Sequence, residues 1–294
     1  MNKRLRKIVK SVLPVPIISM LREARKNKRG LPVSSGIDQK KTLLQYRDAP
    51  VEFFNKSGFK VHSEYEEDGL ILFVFSKIGF ANKKGVEICC GTGDECMLTN
   101  LVLNHDFQGL MFDGDKLNIA MARYFFKKHS DQLQHDPILA QEWITRDNIN
   151  QLILKYGYKG EIDFFSLDVD GVDYYLMKSL DVVSPRLVIC ETNNVVPANL
   201  SITVPYEDGF YRSFDDPYTD HRGVSTLAMV NLMKEKGYRL IGHHKDGFNL
   251  LFLRNDLGAD IFPEIDHKVC FENDFTRKRL KDWEKVAGCE WVNV

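Results

Sequence analysis

The chain has 294 residues, of which 44% are hydrophobic and 28% are charged. This length suits one large α/β domain with extensions, and the composition leaves ample material for a core. No run of about eighteen uncharged apolar residues occurs, which argues against a membrane-spanning helix. The six cysteines lack metal-ligand or disulfide-framework spacing, so reduced thiols and a cytoplasmic location are expected.

The net charge of −1 hides a strongly basic N-terminus. Residues 1–30 contain ten Lys or Arg and one acid, with an apolar stretch at 11–21 between two basic clusters. No small-x-small cleavage site follows, unlike in a signal peptide. Two interpretations stay open: a peripheral contact with anionic lipid on the inner face of a membrane, or a disordered basic tail. The body of the chain is acidic, which argues against nucleic acid as a partner.

The sequence pattern divides the chain into four parts. These are a basic amphipathic tail at 1–30, a linker and helical extension at 31–62, the main α/β domain at 63–256, and a C-terminal tail with a helix at 257–294. Within the main domain, a long aromatic loop is expected at 195–223, as the region that would meet a substrate. The apolar segment 70–75 follows several acids, and this pattern favours a helix over a strand.

From residue 85 onward, apolar strands alternate with amphipathic helices. The predicted strands are 85–90, 109–113, 141–145, 162–168, 186–192, 238–243 and 248–253. The predicted helices are 94–104, 116–129, 148–156, 172–182, 225–236 and, in the C-terminal tail, 274–286. Alternating units of this length imply a parallel sheet with helices on both faces, and the final hairpin adds one antiparallel strand. We therefore predict a doubly wound, mostly parallel seven-stranded sheet.

The most informative motif is a strand that runs into a Gly-x-Gly turn, VEICCGTGDE at 86–95. Gly91 and Gly93 would let the backbone approach a ligand closely. A second strand ends at Asp113, about twenty residues beyond Gly93, which is the interval of a nucleotide-binding βαβ unit. A carboxylate there can accept two hydrogen bonds from ribose hydroxyls, with Asp115 as a weaker candidate. Together these features predict a cofactor that contains adenosine.

The acids after the turn bear on which cofactor this is. Asp94 and Glu95 would crowd the start of the next predicted helix with negative charge and repel a pyrophosphate. An aminoacyl cofactor without phosphate would not be repelled, so S-adenosylmethionine is favoured over NAD. After the third predicted strand, Thr145, Asp147 and Asn148 offer an acid and a backbone amide for an adenine edge. An Asp-Asn pair at a helix start is also an ordinary N-cap, and both readings stay open.

The second informative motif is the segment IDFFSLDVDGVD at 162–173, which ends a strand in several acids. Asp168 and Asp170 would lie at the carboxyl edge of the sheet, where open α/β folds bind ligands, and could take a proton from a hydroxyl. Glu191 and Asn193 end the neighbouring strand and should face the same cleft. The oxygens of Asp168, Asp170 and Glu191 would also suit Mg²⁺ or Ca²⁺, so a divalent cation is a second possibility.

Three histidines are weaker candidates. His221 lies in the aromatic loop and could act as a general base on a hydroxyl. His243 and His244 end a predicted strand near a turn. A structural or exposed role stays open for each of them.

In these motifs the chain resembles class I S-adenosylmethionine-dependent methyltransferases, and specifically the FkbM-type branch, over roughly residues 60–256. Residues 86–93 are similar to the family's first cofactor motif, and Phe112-Asp113 to its ribose-binding position, where glutamate is usual. Residues 167–173 are similar to the family's Ile-Asp-Val-Glu-Gly-Ala-Glu segment, with aspartate in place of both glutamates. The motifs and the resemblance together assign to the cofactor Glu87, Cys89, Gly91, Thr92, Gly93, Asp113, Thr145, Asp147 and Asn148.

The resemblance implies an O-methyltransferase that acts on a hydroxyl of a glycan, glycolipid or nucleotide-sugar-derived acceptor. Glu87 and the backbone of 91–93 would hold the methionine part of the cofactor. Asp168 or Asp170, with His221, would take the hydroxyl proton, while orientation supplies most of the catalysis. Two alternatives stay open: an NAD-dependent sugar oxidoreductase, and a non-catalytic membrane-tethered partner protein on a methyltransferase-like scaffold.

Overall fold

The computed structural model describes residues 14–19, 37–211, 213 and 215–294. Most of the basic tail predicted at 1–30, and the linker that follows it up to residue 36, lie outside the described residues. Within the described part of the chain, no helix is both long enough and apolar enough to cross a membrane.

Nine helices and nine strands lie between residue 37 and the C-terminus, together with short 3-10 turns. The helices are α1 (Gln39–Asp48), α2 (Glu67–Ile78), α3 (Thr99–Asn104), α4 (Lys116–Lys128), α5 (Ile149–Lys155), α6 (Asp173–Ser179), α7 (Thr226–Glu235), α8 (Asp274–Arg279) and α9 (Trp283–Val286). The strands are β1 (Lys84–Ile88), β2 (Gln108–Asp113), β3 (Ile138–Gln141), β4 (Gly160–Leu167), β5 (Val183–Glu191), β6 (Ile202–Thr203), β7 (Tyr238–His243), β8 (Asn249–Arg254) and β9 (Val292–Asn293). The 3-10 turns are Val51–Lys56, Ser130–Gln132, His267–Phe271 and Leu280–Asp282.

Seven strands form one sheet in the order β3-β2-β1-β4-β5-β8-β7. Strands β1 to β5 are parallel to one another, and β8 is antiparallel to both β5 and β7. The predicted doubly wound, mostly parallel sheet with a final antiparallel strand is thus confirmed. The strand order reverses between β1 and β4, which is where open α/β sheets bind their ligands, beyond the carboxyl ends of the strands.

Alternate residues of each strand pack on opposite faces of the sheet, because the side-chain period of a strand is two. Leu110 and Phe112 of β2 belong to the apolar cluster that α5, α6 and α7 cover. Met111 between them belongs to a second cluster, with α2, α3 and α4. Helix α2 is apolar all round and its residues from 70 to 75 are buried, so the helix predicted there is confirmed.

Two predicted boundaries near the site are wrong. The third strand covers residues 138–141 rather than 141–145, because only this run pairs with β2, from Leu110 opposite Ile138 to Asp113 opposite Gln141. Residues 143–145 have high strand propensity, but no neighbouring strand pairs with them. The helix predicted from residue 94 begins only at Thr99, after an irregular turn. The helix predicted at 274–286 is also divided, by the 3-10 turn at 280–282.

Candidate active site

Two neighbouring cavities open at the carboxyl edge of the sheet. The first, which we call the narrow pocket, has a volume of about 90 Å³ and lies beyond β1, β2 and β3. Its walls are Ile88, Cys89, Phe112, Asp113, Gly114, Glu142, Trp143, Ile144, Val169, Val172, Asp208 and Phe210. The second, which we call the wide cleft, has a volume of about 460 Å³ and lies beyond β4 and β5. Its walls are Glu64, Tyr65, Asp168, Asp170, Asp173, Glu191, Thr192, Asn193, Asn194, Thr219, Asp220, Arg222, Gly223, Phe248, Phe275 and Arg279.

The two cavities adjoin at residues 168–170. Asp168 and Asp170 line the wide cleft, whereas Val169 between them lines the narrow pocket. Cys89 and Asp170 beside this junction adopt left-handed backbone conformations, with φ of 70° and 56°. Such conformations are costly for non-glycine residues and concentrate at functional sites. The junction is therefore where groups bound in the two cavities would meet.

Asp113 is held rigidly in the wall of the narrow pocket. Its carboxylate accepts hydrogen bonds from the backbone N–H of Gly91 at 2.9 Å and of Asp115 at 2.8 Å, and from the side-chain amide of Asn118 at 3.1 Å. Burial raises the pKa of Asp113. The Asn118 amide also donates to the second carboxylate oxygen at 3.2 Å, so these contacts fix the orientation of Asp113 in the pocket wall.

Glycine is needed at the two positions of the turn for different physical reasons. Gly91 has a φ of +55°, and a Cβ added there would meet no atom within 4 Å. Gly93 has a φ of +75°, and a Cβ there would come within 3.1 Å of Ala122 and Phe126 of α4. The space beside Gly91 is thus open to a ligand, whereas Gly93 is required by packing. Thr92 between them donates its hydroxyl to the Asp94 carboxylate.

Glu87 lies below the turn and lines neither cavity. It is buried, and its carboxylate accepts the backbone N–H groups of Met97 at 2.9 Å and Leu98 at 2.8 Å, just before α3. Burial raises the pKa of Glu87 to about 7. The expected contact between Glu87 and the methionine part of a cofactor is not what this geometry supports, since both oxygens fix the backbone of the turn.

This arrangement also corrects the argument against a pyrophosphate. Asp94 and Glu95 do not lie at a helix start, and Glu95 instead pairs with Lys60 at 2.9 Å. The amides before α3, where a dinucleotide-binding fold would seat its pyrophosphate, are bonded to Glu87. A pyrophosphate is therefore disfavoured at this turn because of Glu87 and not because of the two later acids.

The residues expected to meet adenine lie outside the narrow pocket. The backbone N–H of Thr145 donates to the Asn148 side chain at 2.8 Å, and the Asn148 amide donates to the carbonyl of Trp143 at 2.9 Å. The Asp147 side chain is 77% exposed beside Arg146. Because β3 ends at residue 141, the chain reaches the pocket four residues earlier than predicted.

The wall is instead formed by Glu142, Trp143 and Ile144, which the sequence reading missed. The apolar run 138–140 directly after Pro137 was the signal that could have placed β3 correctly. The Trp143 indole is about half exposed and its N–H donates to the carbonyl of Asp208 at 2.6 Å. This bond fixes one edge of the narrow pocket to the aromatic loop.

The aromatic loop closes the narrow pocket from above. Asp208 and Phe210 line the pocket, and the Phe210 ring lies so close to Gly171 that no Cβ could fit there. The Tyr206 ring packs against Tyr175, with a centroid distance of 5.1 Å. The sequence indicated an aromatic loop here but not which cavity it covers.

Asp168 and Glu191 form a half-buried carboxyl pair in the wide cleft. They follow β4 and end β5, where Leu167 and Cys190 are register partners, so their side chains are adjacent. A hydrogen bond joins them, and burial, followed by mutual repulsion with neighbouring carboxylates, raises the pKa of both groups. Two carboxylates in contact hold a proton between them more readily than either would alone.

Asp170 completes a group of three carboxylates with this pair. One oxygen from each of Asp168, Asp170 and Glu191 lies within 4.8 Å of the others, a spacing that could hold a divalent cation through oxygen ligands alone. Asp170 also pairs with Arg222 of the aromatic loop at 2.7 Å. The cluster can therefore take a proton, bind a cation or accept hydrogen bonds from a hydroxyl.

Three aromatic residues, which we call the aromatic wall, also line the wide cleft. Tyr65, Phe248 and Phe275 follow one another, with centroid distances of 5.5 Å and 5.8 Å. The segment before Tyr65 is held by the buried Asp68 carboxylate, which accepts three backbone N–H groups, from residues 61, 62 and 63, at 2.6–2.9 Å. No motif in the sequence marks Tyr65 or Phe275, because they come from distant segments that meet only in the fold.

His221 lies outside the wide cleft, so its predicted role as a general base is not supported. It is buried, its Nε2 lies 2.7 Å from the carbonyl oxygen of Glu290, and its ring meets Trp291 edge-on at 4.7 Å. The C-terminal strand β9 pairs with β6 and carries this tail onto the loop. His221 therefore fastens the loop to the C-terminus.

The remaining residues predicted from the sequence are also held by hydrogen bonds within the fold. Asn193 lines the wide cleft, but its amide donates to the carbonyls of Asp220 and Arg222 at 2.8 Å, so it anchors the loop. His243 Nδ1 contacts the His244 carbonyl at 2.7 Å, and His244 Nδ1 accepts the N–H of residue 249 at 3.0 Å. Both histidines are structural.

No protein-family model matches the chain, and no curated protein matches its sequence. Magnesium protoporphyrin IX methyltransferase (ChlM) from Synechocystis PCC 6803, solved with bound SAM, has 10% identity and a TM-score of 0.40 over 75% of this chain and 99% of its own. A S-adenosylmethionine-dependent methyltransferase from Clostridium acetobutylicum ATCC 824 has 12% identity and a TM-score of 0.40 over 72% and 94%.

Monomeric WbdD has 17% identity and a TM-score of 0.34 over 58% of this chain. The match covers 36% of WbdD, so the chain spans about a third of that protein's length. At these TM-scores and identities the likeness carries no functional argument.

Proposed function

We propose that the protein is an S-adenosylmethionine-dependent O-methyltransferase of the FkbM-type branch that acts on a sugar hydroxyl. The observation that carries this proposal is the junction at 168–170, where the narrow pocket beside Asp113 meets the carboxylates of the wide cleft. An adenosine group in the pocket would direct its reactive end toward this junction. A hydroxyl in the cleft would approach from the other side.

The residues present fit such a cofactor at two points. Asp113 is oriented to accept hydrogen bonds from ribose hydroxyls, and the exposed face of Trp143 can stack on a base. Because a volume of about 90 Å³ is small beside an ordinary ligand pocket, the Asp208–Phe210 segment would move outward on binding. The open space beside Gly91 would receive the part of the cofactor nearest the junction.

When bound, S-adenosylmethionine supplies a methyl group on a positively charged sulfur. Asp168 would accept the proton of the acceptor hydroxyl as the oxygen forms its bond to that methyl group, with Glu191 hydrogen-bonded behind it. Asp170 would hold the acceptor or, with the other two carboxylates, a divalent cation. Most of the rate enhancement would come from holding the two reactants in line.

The acceptor is proposed to be a glycan or glycolipid hydroxyl, as the resemblance implies. A peripheral position on the inner face of a membrane, through residues 1–30, belongs to the same proposal and would bring the enzyme to lipid-linked sugars. Truncation of this tail should then reduce binding to vesicles that contain anionic lipid. Equal binding of the full-length and truncated proteins would contradict the membrane contact.

The competing reading of the site is an NAD-dependent oxidoreductase. Glu87 disfavours it, since this carboxylate occupies the amides that a pyrophosphate would use. A non-catalytic partner protein is disfavoured by the carboxyl pair at the junction. Carboxyl groups in a cleft whose pKa values are raised by desolvation and by neighbouring charges are typical of a site that performs chemistry.

Isothermal titration calorimetry with S-adenosylhomocysteine and with NAD tests the proposal. We expect binding of S-adenosylhomocysteine only, and a loss of about tenfold or more in affinity for Asp113→Asn, because a charged acceptor of hydrogen bonds is removed. The matched control is Asp136→Asn, at an exposed position before β3, which should bind as the wild type does. Binding of NAD alone would favour the oxidoreductase, and equal affinity of Asp113→Asn would refute the ribose contact.

A further inference from the structure

We propose that the wide cleft selects a sugar without an anionic group, either neutral or amine-bearing, and excludes phosphorylated sugars. The inference rests on the proposed function and narrows its acceptor. It separates a glycan hydroxyl from the nucleotide-sugar acceptors that the resemblance leaves open. Three observations carry it: the charge of the cleft, the pairing of its arginines and the aromatic wall.

Carboxylates outnumber cationic groups in the walls of the cleft. The six acids are Glu64, Asp168, Asp170, Asp173, Glu191 and Asp220, and the two cations are Arg222 and Arg279. One proton shared by Asp168 and Glu191 would still leave an excess of negative charge in the cleft. A phosphate bound among these groups would be repelled at short range, where salt screens poorly.

The two arginines are committed to acids of the fold. Arg222 pairs with Asp170 at 2.7 Å, and Arg279 pairs with Asp220 and, at 2.9 Å, with Asp282. A phosphate site usually presents guanidinium N–H groups in pairs toward the ligand. To bind a phosphate here, an arginine would have to leave a carboxylate, which would then lie close to the new anion.

The aromatic wall points independently to a ring-shaped ligand. Tyr65, Phe248 and Phe275 contact one another in sequence and line the same cleft as the carboxylates. A sugar ring has an apolar C–H face, which suits such a surface, and an edge of hydroxyl donors, which suits carboxylate acceptors. An ammonium group on the ring would add an attraction to the acids. An extended apolar chain would leave the carboxylates without donors.

The test is saturation-transfer NMR on the full-length protein saturated with S-adenosylhomocysteine. The probes are methyl glucoside, glucosamine and glucose 6-phosphate, each with and without Mg²⁺. We expect the first two to bind and the phosphate to bind at least about tenfold more weakly under both conditions. Equal or tighter binding of glucose 6-phosphate would overturn the inference, and a requirement for Mg²⁺ in that case would identify a cation-bridged phosphate instead.

Failure of this inference is distinguishable from failure of the proposed function. If S-adenosylhomocysteine binds and no probe does, the sugar acceptor is refuted while the cofactor assignment stands. If S-adenosylhomocysteine does not bind, the proposed function itself is refuted.

A charge reversal in the wide cleft provides a second test of the same inference. Glu64→Lys should reduce the discrimination against glucose 6-phosphate by several-fold, because an acid of the wall becomes a cation. Glu52→Lys changes the net charge equally at an exposed position outside the cleft and should leave the discrimination unchanged. The same discrimination in both variants would overturn the electrostatic account, provided both proteins retain the wild-type melting temperature.

Discussion

The narrow pocket and the wide cleft share one edge of the sheet but are built in different ways. The pocket is formed largely by residues that directly follow β1, β2 and β3, and backbone N–H groups fix its acid, Asp113. The cleft joins the ends of β4 and β5 to side chains from segments far apart in the chain, such as Tyr65, Arg222 and Phe275. The first is mainly apolar, whereas half of the residues that line the second are charged.

This difference in construction indicates how substitutions would affect each of the two cavities. A cavity fixed by strand ends and backbone hydrogen bonds varies little as long as the sheet persists. A cavity assembled from loop side chains can be altered without disturbing the sheet. We therefore expect substitutions to separate cofactor binding from acceptor chemistry.

The largest effect is expected from Asp168→Asn. The amide cannot accept the hydroxyl proton, so methyl transfer to an acceptor-containing saccharide extract should fall by about 10²–10⁴-fold. Affinity for S-adenosylhomocysteine should stay within about twofold, because the change lies on the cleft side of the junction. Transfer of a radiolabelled methyl group and calorimetry measure the two quantities.

Asp136→Asn, at an exposed position, serves as the control and should retain full transfer. Full activity of Asp168→Asn would remove this residue from the chemistry. An equal loss of cofactor affinity and activity would contradict the separation of the two cavities.

The alternation of apolar segments was sufficient to predict the sheet, because each strand is buried and its pattern is local. The acids at 113 and 168–170 could be placed for the same reason, since a residue at a strand end has only one edge to occupy. The bounds of each strand were harder to predict. A shift of three residues at the start of β3 moved the expected pocket wall from Trp143 to Thr145.

Sequence reading could not anticipate contacts between distant segments. Glu87 was predicted to contact the cofactor because it lies near the end of a strand, four residues before Gly91. In the fold its carboxylate accepts the amides before α3 instead. His221 looked available in an aromatic loop, but residues 290 and 291 of the C-terminal tail cover it. In each case the side chain's partner lies beyond the local pattern that suggested its role.

The next effect concerns the frame of the narrow pocket. Burial raises the pKa of Glu87 from 4.5 to about 7, so the folded protein binds this proton more tightly than the unfolded chain does. The resulting stabilisation is fully present below the ordinary pKa and is lost as the pH rises through about 7. Between about pH 4.5 and 7, wild type should lose about 3 kcal/mol of unfolding free energy relative to Glu87→Gln.

Urea unfolding at several pH values measures this difference, with Glu52→Gln, at an exposed position, as the control that should follow wild type. A difference between wild type and Glu87→Gln that does not depend on pH would show that Glu87 is not protonated on folding. The acceptor probes should bind both proteins equally, because Glu87 does not line the wide cleft.

A smaller effect is expected from Trp143→Ala. Loss of the aromatic face on which adenine would stack should weaken the binding of S-adenosylhomocysteine by about tenfold, which is within the range of base–aromatic stacking. Binding of methyl glucoside should not change, since Trp143 lies only in the narrow pocket. Leu154→Ala, a partly exposed apolar position on α5 outside both cavities, is the control. If Trp143→Ala weakened the binding of methyl glucoside and not of S-adenosylhomocysteine, the assignment of the two cavities would be reversed.

A crystal structure of the protein with S-adenosylhomocysteine tests the central claim most directly, namely that the two cavities form one methyl-transfer site. The account predicts adenine beside Trp143, ribose hydroxyls on Asp113, and the sulfur at the junction near Asp168, with the Asp208–Phe210 segment displaced. An adenosine group in the wide cleft, or a sulfur directed away from residues 168–170, would contradict it.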